Sequence, residues 1–189
     1  RDKSQARLSF GLDPDKPTVL VVGGSLGALT LNESLEKGLR TLIDNGIQVI
    51  WQTGRNFGNR AQTAAKGLQG AVITQFISDM GAAYAAADLV VSRAGAGSIS
   101  ELQLLGKPCV LVPSPNVAED HQRKNAQALA DRDAAVMVLD ADAPRLLGET
   151  VTQLMADPER RKTLGRNALE MALRDSDEKI TDCIYSLIN

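Results

Sequence analysis

Short apolar segments rich in β-branched residues alternate with helix-like segments along most of this chain. The apolar segments predict six strands, at residues 18–22, 48–52, 71–74, 89–92, 108–112 and 134–139. Helical spacing of apolar residues and alanine-rich stretches predict helices between them, at residues 28–44, 59–67, 79–87, 98–105 and 119–131. Strands that are apolar along their whole length are usually buried on both faces. The alternation therefore predicts a doubly wound, Rossmann-like α/β domain with a parallel sheet between two layers of helices.

The chain has 189 residues, which is enough for one domain with a substantial core. After the last predicted strand only helices are expected, at residues 143–156, 158–173 and 176–188. We expect residues 1–17 to be a linker, residues 18–175 to be the Rossmann-like domain, and residues 176–189 to be a C-terminal helix.

Composition excludes several classes of protein. The 21 basic and 23 acidic side chains give a net charge of −2, which argues against a nucleic-acid partner. No run of 18 apolar residues predicts a membrane-spanning helix. Cys109 and Cys183 are too few for a disulfide framework, so a reduced, cytosolic compartment is expected, and Cys109 is predicted to be a buried small hydrophobe. One histidine and four Asp-x-Asp triplets that fit turns or caps predict no metal site.

A glycine-rich segment, Gly23–Ala28, follows the first predicted strand and precedes a helix. Glycines at such a junction let backbone N–H groups approach a phosphate, although a tight turn without a ligand is the alternative. The dinucleotide fingerprint would need glycine at Val22, and the second strand ends at Gln52 rather than at an acidic residue. A nicotinamide cofactor is therefore disfavoured.

A second glycine-bearing junction, Ser92–Glu101, follows the fourth predicted strand. With a helix predicted from Ser98, Glu101 has two interpretations. The spacing of Ser98 and Glu101 fits a capping box, in which Glu101 serves only the helix end. Alternatively, a carboxylate in the first turn accepts hydrogen bonds from two ribose hydroxyls. Two glycine loops together suggest a ligand with a phosphate and a sugar.

Three polar residues begin the helix predicted after the fifth strand. His121 alone is typical of an ordinary surface position. Gln122 and Asn125 are three residues apart and share a helix face. Amide side chains at this edge of the sheet can hydrogen-bond sugar hydroxyls without adding charge.

Four motifs in this order resemble the MurG family of bacterial N-acetylglucosaminyltransferases. They are Gly23–Ala28, Gln75–Met80, Arg93–Glu101 and His121–Ala126. The resemblance covers nearly the whole chain. It implies a GT-B glycosyltransferase of two Rossmann-like domains, of which this chain is similar to the C-terminal, donor-binding one.

The resemblance also implies a set of donor-site residues for UDP-N-acetylglucosamine. Gly24, Ser25 and Gly27 are implied to contact the diphosphate, and the Ile77 backbone to face the uracil ring. Glu101 is implied to hold the ribose, and Gln122 to read the N-acetylglucosamine hydroxyls with Asn125 nearby. The implied substrate-binding set is completed by Arg1, Arg93, Ala96, Gly97, Ser98, Ile99, Ser100 and His121.

The family's reaction converts lipid I to lipid II in peptidoglycan synthesis by direct, inverting displacement of UDP. The resemblance implies that the lipid acceptor, the general base and the membrane-facing patch belong to an N-terminal domain outside these residues. No catalytic residue, cofactor or metal is expected here, and the location implied is the cytoplasmic face of the bacterial inner membrane. A non-catalytic nucleotide-sugar-binding module and the donor subunit of a split transferase are the alternatives, with the Gly23–Gly24–Ser25 loop favouring the bacterial family.

Overall fold

The strands in the described part of the chain belong to one parallel sheet. A computed structural model describes residues 2–24, 28–117 and 120–172. The strands are β1 (Thr18–Val22), β2 (Gln48–Gln52), β3 (Ala71–Thr74), β4 (Leu89–Ser92), β5 (Cys109–Leu111) and β6 (Val136–Met137). Their order is β3-β2-β1-β4-β5-β6, with every neighbouring pair parallel. The chain reverses its direction of winding between β1 and β4, which is where doubly wound folds bind ligands.

Helices cover both faces of this sheet. They are α1 (Lys3–Ser9), α2 (Leu29–Asp44), α3 (Gly58–Ala64), α4 (Met80–Ala86), α5 (Ala96–Leu104), α6 (His121–Ala130), α7 (Ala143–Ala156) and α8 (Pro158–Glu170). Helices α2, α3 and α7 supply one core, and α1, α4, α5 and α6 supply the other. The predicted doubly wound α/β fold is confirmed. No helix in the described ranges has the length and apolarity needed to cross a bilayer.

Alternation of side chains along the strands divides the core in two. Val19 and Val21 of β1 face one layer of helices, while Leu20 and Val22 face the other. All four are buried, which explains why the strand is apolar at consecutive positions. Cys109 is also buried, and burial raises the pKa of its thiol to about 12, so the prediction of a buried small hydrophobe is confirmed.

Some predicted elements differ from the observed ones. Helix α1 lies within the segment expected to be a linker, and it packs against α4. Seven residues are too few for a clear helical period, and the charged Arg7 is among the residues that α1 buries. The strand predicted at residues 134–139 pairs only over Val136–Met137. The helix predicted at residues 176–188 lies outside the described residues, and the division into linker, domain and tail remains a prediction.

Candidate functional site

A cleft of about 770 Å³ opens at the carboxyl ends of the central strands. Its walls include Gly23 and Gly24 after β1, Arg93 and Gly95 after β4, and the segment 114–116 after β5. Val22 of β1 pairs with Ser92 of β4, so the two glycine-bearing loops leave the sheet side by side. The topology therefore brings both predicted loops to one site.

The turn after β1 requires glycine for its backbone conformation. Gly24 has a φ of +81°, in the left-handed region, and a Cβ there would meet no neighbour within 4 Å. Its carbonyl oxygen accepts a hydrogen bond of 3.1 Å from Gln52 Nε2 at the end of β2. Ser25 and Gly27, both predicted to contact a phosphate, lie outside the described residues. Helix α2 begins soon after this turn, and its N-cap residue Ala28 makes no side-chain cap bond.

Helix α5 begins earlier than the sequence predicts. Its N-cap is Gly95 and its first residue is Ala96, so Ser98 is inside the helix and Glu101 lies in the second turn. The capping-box interpretation is therefore wrong. The Glu101 carboxylate instead accepts a hydrogen bond of 2.8 Å from the Tyr84 hydroxyl, and both residues line the cleft.

Tyr84 is a site residue that sequence reasoning missed. It belongs to α4, is 7% exposed and packs in the second core. Burial, together with the adjacent Glu101 carboxylate, raises the pKa of the Tyr84 hydroxyl above its usual value. The phenol is therefore a neutral hydrogen-bond donor at physiological pH. The signal in the sequence is a single large polar-tipped ring in an otherwise alanine-rich helix.

Arg93 ties the loops of the cleft together. Its Nη1 donates hydrogen bonds to the carbonyl oxygens of Val112 (3.1 Å) and Pro113 (3.4 Å) and forms an ion pair with Asp140 Oδ1. Asp140 Oδ2 accepts a further bond of 2.9 Å from Thr30 Oγ1. The network joins the segments that follow β1, β4, β5 and β6. Asp140 belongs to an Asp-x-Asp triplet that fits a turn or a helix cap, and nothing local predicts its partner.

The three residues predicted at the start of α6 have different surroundings. Gln122 lines the cleft, and its Oε1 accepts a hydrogen bond of 2.9 Å from the Ser114 N–H. Asn125 is not part of the cleft wall; its Nδ2 donates to the carbonyl oxygen of Ala94 at 3.2 Å and so joins α6 to the loop after β4. His121 is the first residue of α6 and is not part of the cleft wall.

The remaining predicted residues divide between the cleft, the core and solvent. Ile77 and Ser98 line the cleft. The Ile99 side chain is in the core and its N–H is bonded to the Gly95 carbonyl, so it does not reach the cleft. Ala96, Gly97 and Ser100 are exposed on α5. Arg1 lies outside the described residues.

Residues 18–180 match the family described as the glycosyltransferase family 28 C-terminal domain. The chain belongs to this family. Relatives of this family 28 domain carry the name UDP-N-acetylglucosamine–N-acetylmuramyl-(pentapeptide) pyrophosphoryl-undecaprenol N-acetylglucosamine transferase. The protein from Parabacteroides distasonis is 52% identical over 99% of this chain and 51% of its own length. The protein from Cytophaga hutchinsonii is 49% identical over 97% of this chain and 49% of its own length.

A solved structure has the same architecture as the family 28 domain. The crystal structure of Acinetobacter baumannii MurG superposes with a TM-score of 0.81 and 33% sequence identity. The match covers 91% of this chain and 53% of that one. The chain therefore spans about half the length of the relatives that it matches.

The ion pair between Arg93 and Asp140 leads to a stability prediction for the family 28 domain. We expect Asp140→Asn to lower the free energy of unfolding by about 1–2 kcal/mol, because the Arg93 charge loses its counter-ion in a partly buried setting. Each side chain is 16% exposed, so the loss is smaller than for a fully buried pair. Urea denaturation measures the change.

Asp142→Asn is the control for this measurement. Asp142 pairs with Arg145 at 3.5 Å, and that pair is exposed. We expect a change below about 0.5 kcal/mol for this surface pair. Equal losses for the two variants would contradict a structural role for the Arg93–Asp140 pair.

Proposed function

We propose that this chain is the donor-binding half of an inverting N-acetylglucosaminyltransferase of peptidoglycan synthesis. In this proposal the donor is UDP-N-acetylglucosamine, the acceptor is lipid I and the product is lipid II. The names of the relatives at 49–52% identity support this assignment. The observation that carries it is the Glu101 carboxylate, held by Tyr84 at a cleft between two glycine-bearing loops.

The helix ends at the cleft suit a diphosphate. The first N–H groups of a helix have no partner within it, and the helix dipole adds partial positive charge there. Helices α2 and α5 both begin beside the cleft, after Ala28 and Gly95, and neither N-cap makes a side-chain bond. We propose that these N–H groups, with Ser25 and Gly27 of the first loop, bind the donor diphosphate. The same groups stabilise the charge that develops on the departing UDP.

The other end of the cleft suits a nucleoside. Ile77 is buried, and the neighbouring Phe76 is exposed. The Phe76 carbonyl oxygen accepts a hydrogen bond of 2.8 Å from Thr74 Oγ1. This bond fixes the turn after β3. We propose that the backbone at Ile77 faces the uracil ring and that Glu101 accepts hydrogen bonds from the ribose hydroxyls.

Sugar recognition is assigned to the start of α6. The bond from the Ser114 N–H holds the Gln122 amide at the cleft wall. An amide is both a donor and an acceptor, so Gln122 can bond to sugar hydroxyls without a charge. Asn125 contributes by fixing α6 against the loop after β4.

The acceptor half of the reaction is assigned to an N-terminal domain. Because the chain matches about half the length of its relatives, we propose that the general base and the lipid I site belong to the other half. The inverting reaction is direct attack by an acceptor hydroxyl on the anomeric carbon, with UDP as the leaving group. We propose that the whole enzyme works as a peripheral protein at the cytoplasmic face of the bacterial inner membrane.

Calorimetric titration of the chain with UDP-N-acetylglucosamine tests the proposal. UDP-glucose, UDP and NAD are the comparison ligands. We expect saturable binding with a preference for the N-acetylated sugar and none for NAD. Equal binding of UDP and both sugars would contradict the assigned sugar, and a folded chain that binds no uridine ligand would contradict the donor site itself.

Glu101→Ala is expected to weaken UDP-N-acetylglucosamine binding by about 1–3 kcal/mol, the range for a hydrogen bond to a charged group. The same titration measures the loss. Glu149→Ala is the matched control, since Glu149 is an exposed helical carboxylate with one side-chain hydrogen bond, of 3.0 Å from Gln153, and lies outside the cleft wall. An equal affinity for the two variants would show that Glu101 does not contact the donor.

A further inference from the structure

The Tyr84 hydroxyl joins the buried core to the Glu101 carboxylate at the cleft. Tyr84 belongs to the same buried cluster as Ala83 and Ala86 of α4, both of which are fully buried. Its hydroxyl reaches the cleft, where the bond to Glu101 Oε2 joins α4 to α5. The buried Tyr84 therefore holds one oxygen of the Glu101 carboxylate, and Glu101 itself is exposed on α5.

A carboxylate that binds a ribose needs a fixed orientation. A free glutamate side chain populates several rotamers, and ordering it on binding costs conformational entropy. The carboxylate has about four lone-pair sites, of which Tyr84 uses one, so acceptors remain for two ribose hydroxyls. Tyr84 can hold the group in place without blocking it.

We propose that Tyr84 is a positioning residue, which presents the Glu101 carboxylate to the ribose and so makes the site select a ribonucleoside diphosphate over its 2′-deoxy counterpart. The inference rests on the proposed function, because it takes Glu101 to be the ribose ligand. A purely structural bond between α4 and α5 would instead affect all uridine ligands equally.

The test is the ratio of the affinities for UDP and 2′-deoxy-UDP, measured by calorimetry on the 189-residue chain. For the wild-type chain we expect UDP to bind more tightly by about fivefold or more, as for a lost hydrogen bond to a charged group. Tyr84→Phe keeps the ring in the core and removes only the hydroxyl. We expect it to weaken UDP binding about two- to tenfold, the range for one hydrogen bond, and to weaken 2′-deoxy-UDP binding less, because that ligand offers Glu101 only its 3′-hydroxyl.

Two further variants complete the design. Thr18→Val removes another buried hydroxyl, which donates to the Lys16 carbonyl at the opposite end of β1, and the ratio should stay at its wild-type value. The double variant Tyr84→Phe/Glu101→Ala should bind UDP no more weakly than Glu101→Ala alone, because Tyr84 acts through Glu101. Thermal unfolding verifies that each variant is folded.

The outcomes separate this inference from the proposal on which it rests. A smaller ratio for Tyr84→Phe, with a wild-type ratio for Thr18→Val, supports the positioning role. An unchanged ratio for Tyr84→Phe alongside a collapsed ratio for Glu101→Ala would overturn it and leave the donor site intact. A wild-type chain that binds the two ligands equally would overturn this inference and the assignment of Glu101 to the ribose. A folded chain that binds neither ligand would overturn the donor site as well.

Discussion

Replacing Arg7 with methionine is expected to lower the free energy of unfolding by about 3–5 kcal/mol, the range for removing one partner of a buried ion pair. Arg7 is 5% exposed and docks α1 against the domain. Its Nε donates to the Ala86 carbonyl at 3.1 Å, its Nη1 to the Pro14 carbonyl at 2.9 Å, and its Nη2 to Asp88 Oδ2 at 2.5 Å. Methionine fills a similar volume but leaves two carbonyl groups and a carboxylate without these donors. Urea unfolding followed by circular dichroism measures the loss.

Lys3→Met is the matched control, because Lys3 binds the same carboxylate from a half-exposed position. Its Nζ is 2.7 Å from Asp88 Oδ1. Burial alone would raise the pKa of Asp88. The hydrogen bonds from Lys3 and the Thr18 N–H, together with the charge of Arg7, outweigh it and lower the pKa of Asp88 below its usual value, so the carboxylate is charged at pH 7. We expect Lys3→Met to cost less than about 1 kcal/mol, as for an exposed pair. If it cost as much as Arg7→Met, burial would not be what makes the Arg7 contact strong.

Gly165→Ala is expected to lower the free energy of unfolding by about 2–3 kcal/mol, as for overpacking against a site that cannot relax. A Cβ on Gly165 of α8 would lie 2.4 Å from the carbonyl oxygen of Gly106, in the turn that follows α5. Because the obstacle is a backbone carbonyl, no side-chain rotation relieves the clash. Gly106 also has a φ of +57°, in the left-handed region. Helix α8 would have to move away from α5. Thermal or urea unfolding reports the loss.

Gly38→Ala provides the comparison, since Gly38 is also a glycine within a helix at a close contact. Its Cβ would lie 3.5 Å from Gly148 Cα, an ordinary van der Waals distance. Alanine is favoured over glycine in a helix by about 1 kcal/mol, so this variant should be neutral or stabilised. Similar losses for both variants would show that the approach of α8 to Gly106 is not the cause.

The fold class and the position of the cleft follow from the sequence. The central residues of strands such as Thr18–Val22 and Gln48–Gln52 are buried on both faces and are apolar at consecutive positions. A short continuous apolar run, bounded by polar or glycine residues, therefore identifies them. Parallel strands also place the loops that follow them at one edge. The order of strands and loops along the chain therefore suffices to assign Glu101 and Gln122 to one cleft, and both line it.

Only the tertiary structure decided what those residues contact. Helix α1 was missed because it is held by Arg7, whose partner Asp88 lies 81 residues away. The hydroxyl that binds Glu101 comes from Tyr84 on another helix. The observed contact of Glu101 is therefore a bond between α4 and α5 and not the local capping box that its spacing from Ser98 suggests. Arg93 likewise finds Asp140 across the sheet edge, 47 residues along the chain. Burial of apolar residues produces a pattern within each element, which the sequence shows directly. A polar contact between two elements instead depends on which loops the topology brings together, so the local sequence does not predict it.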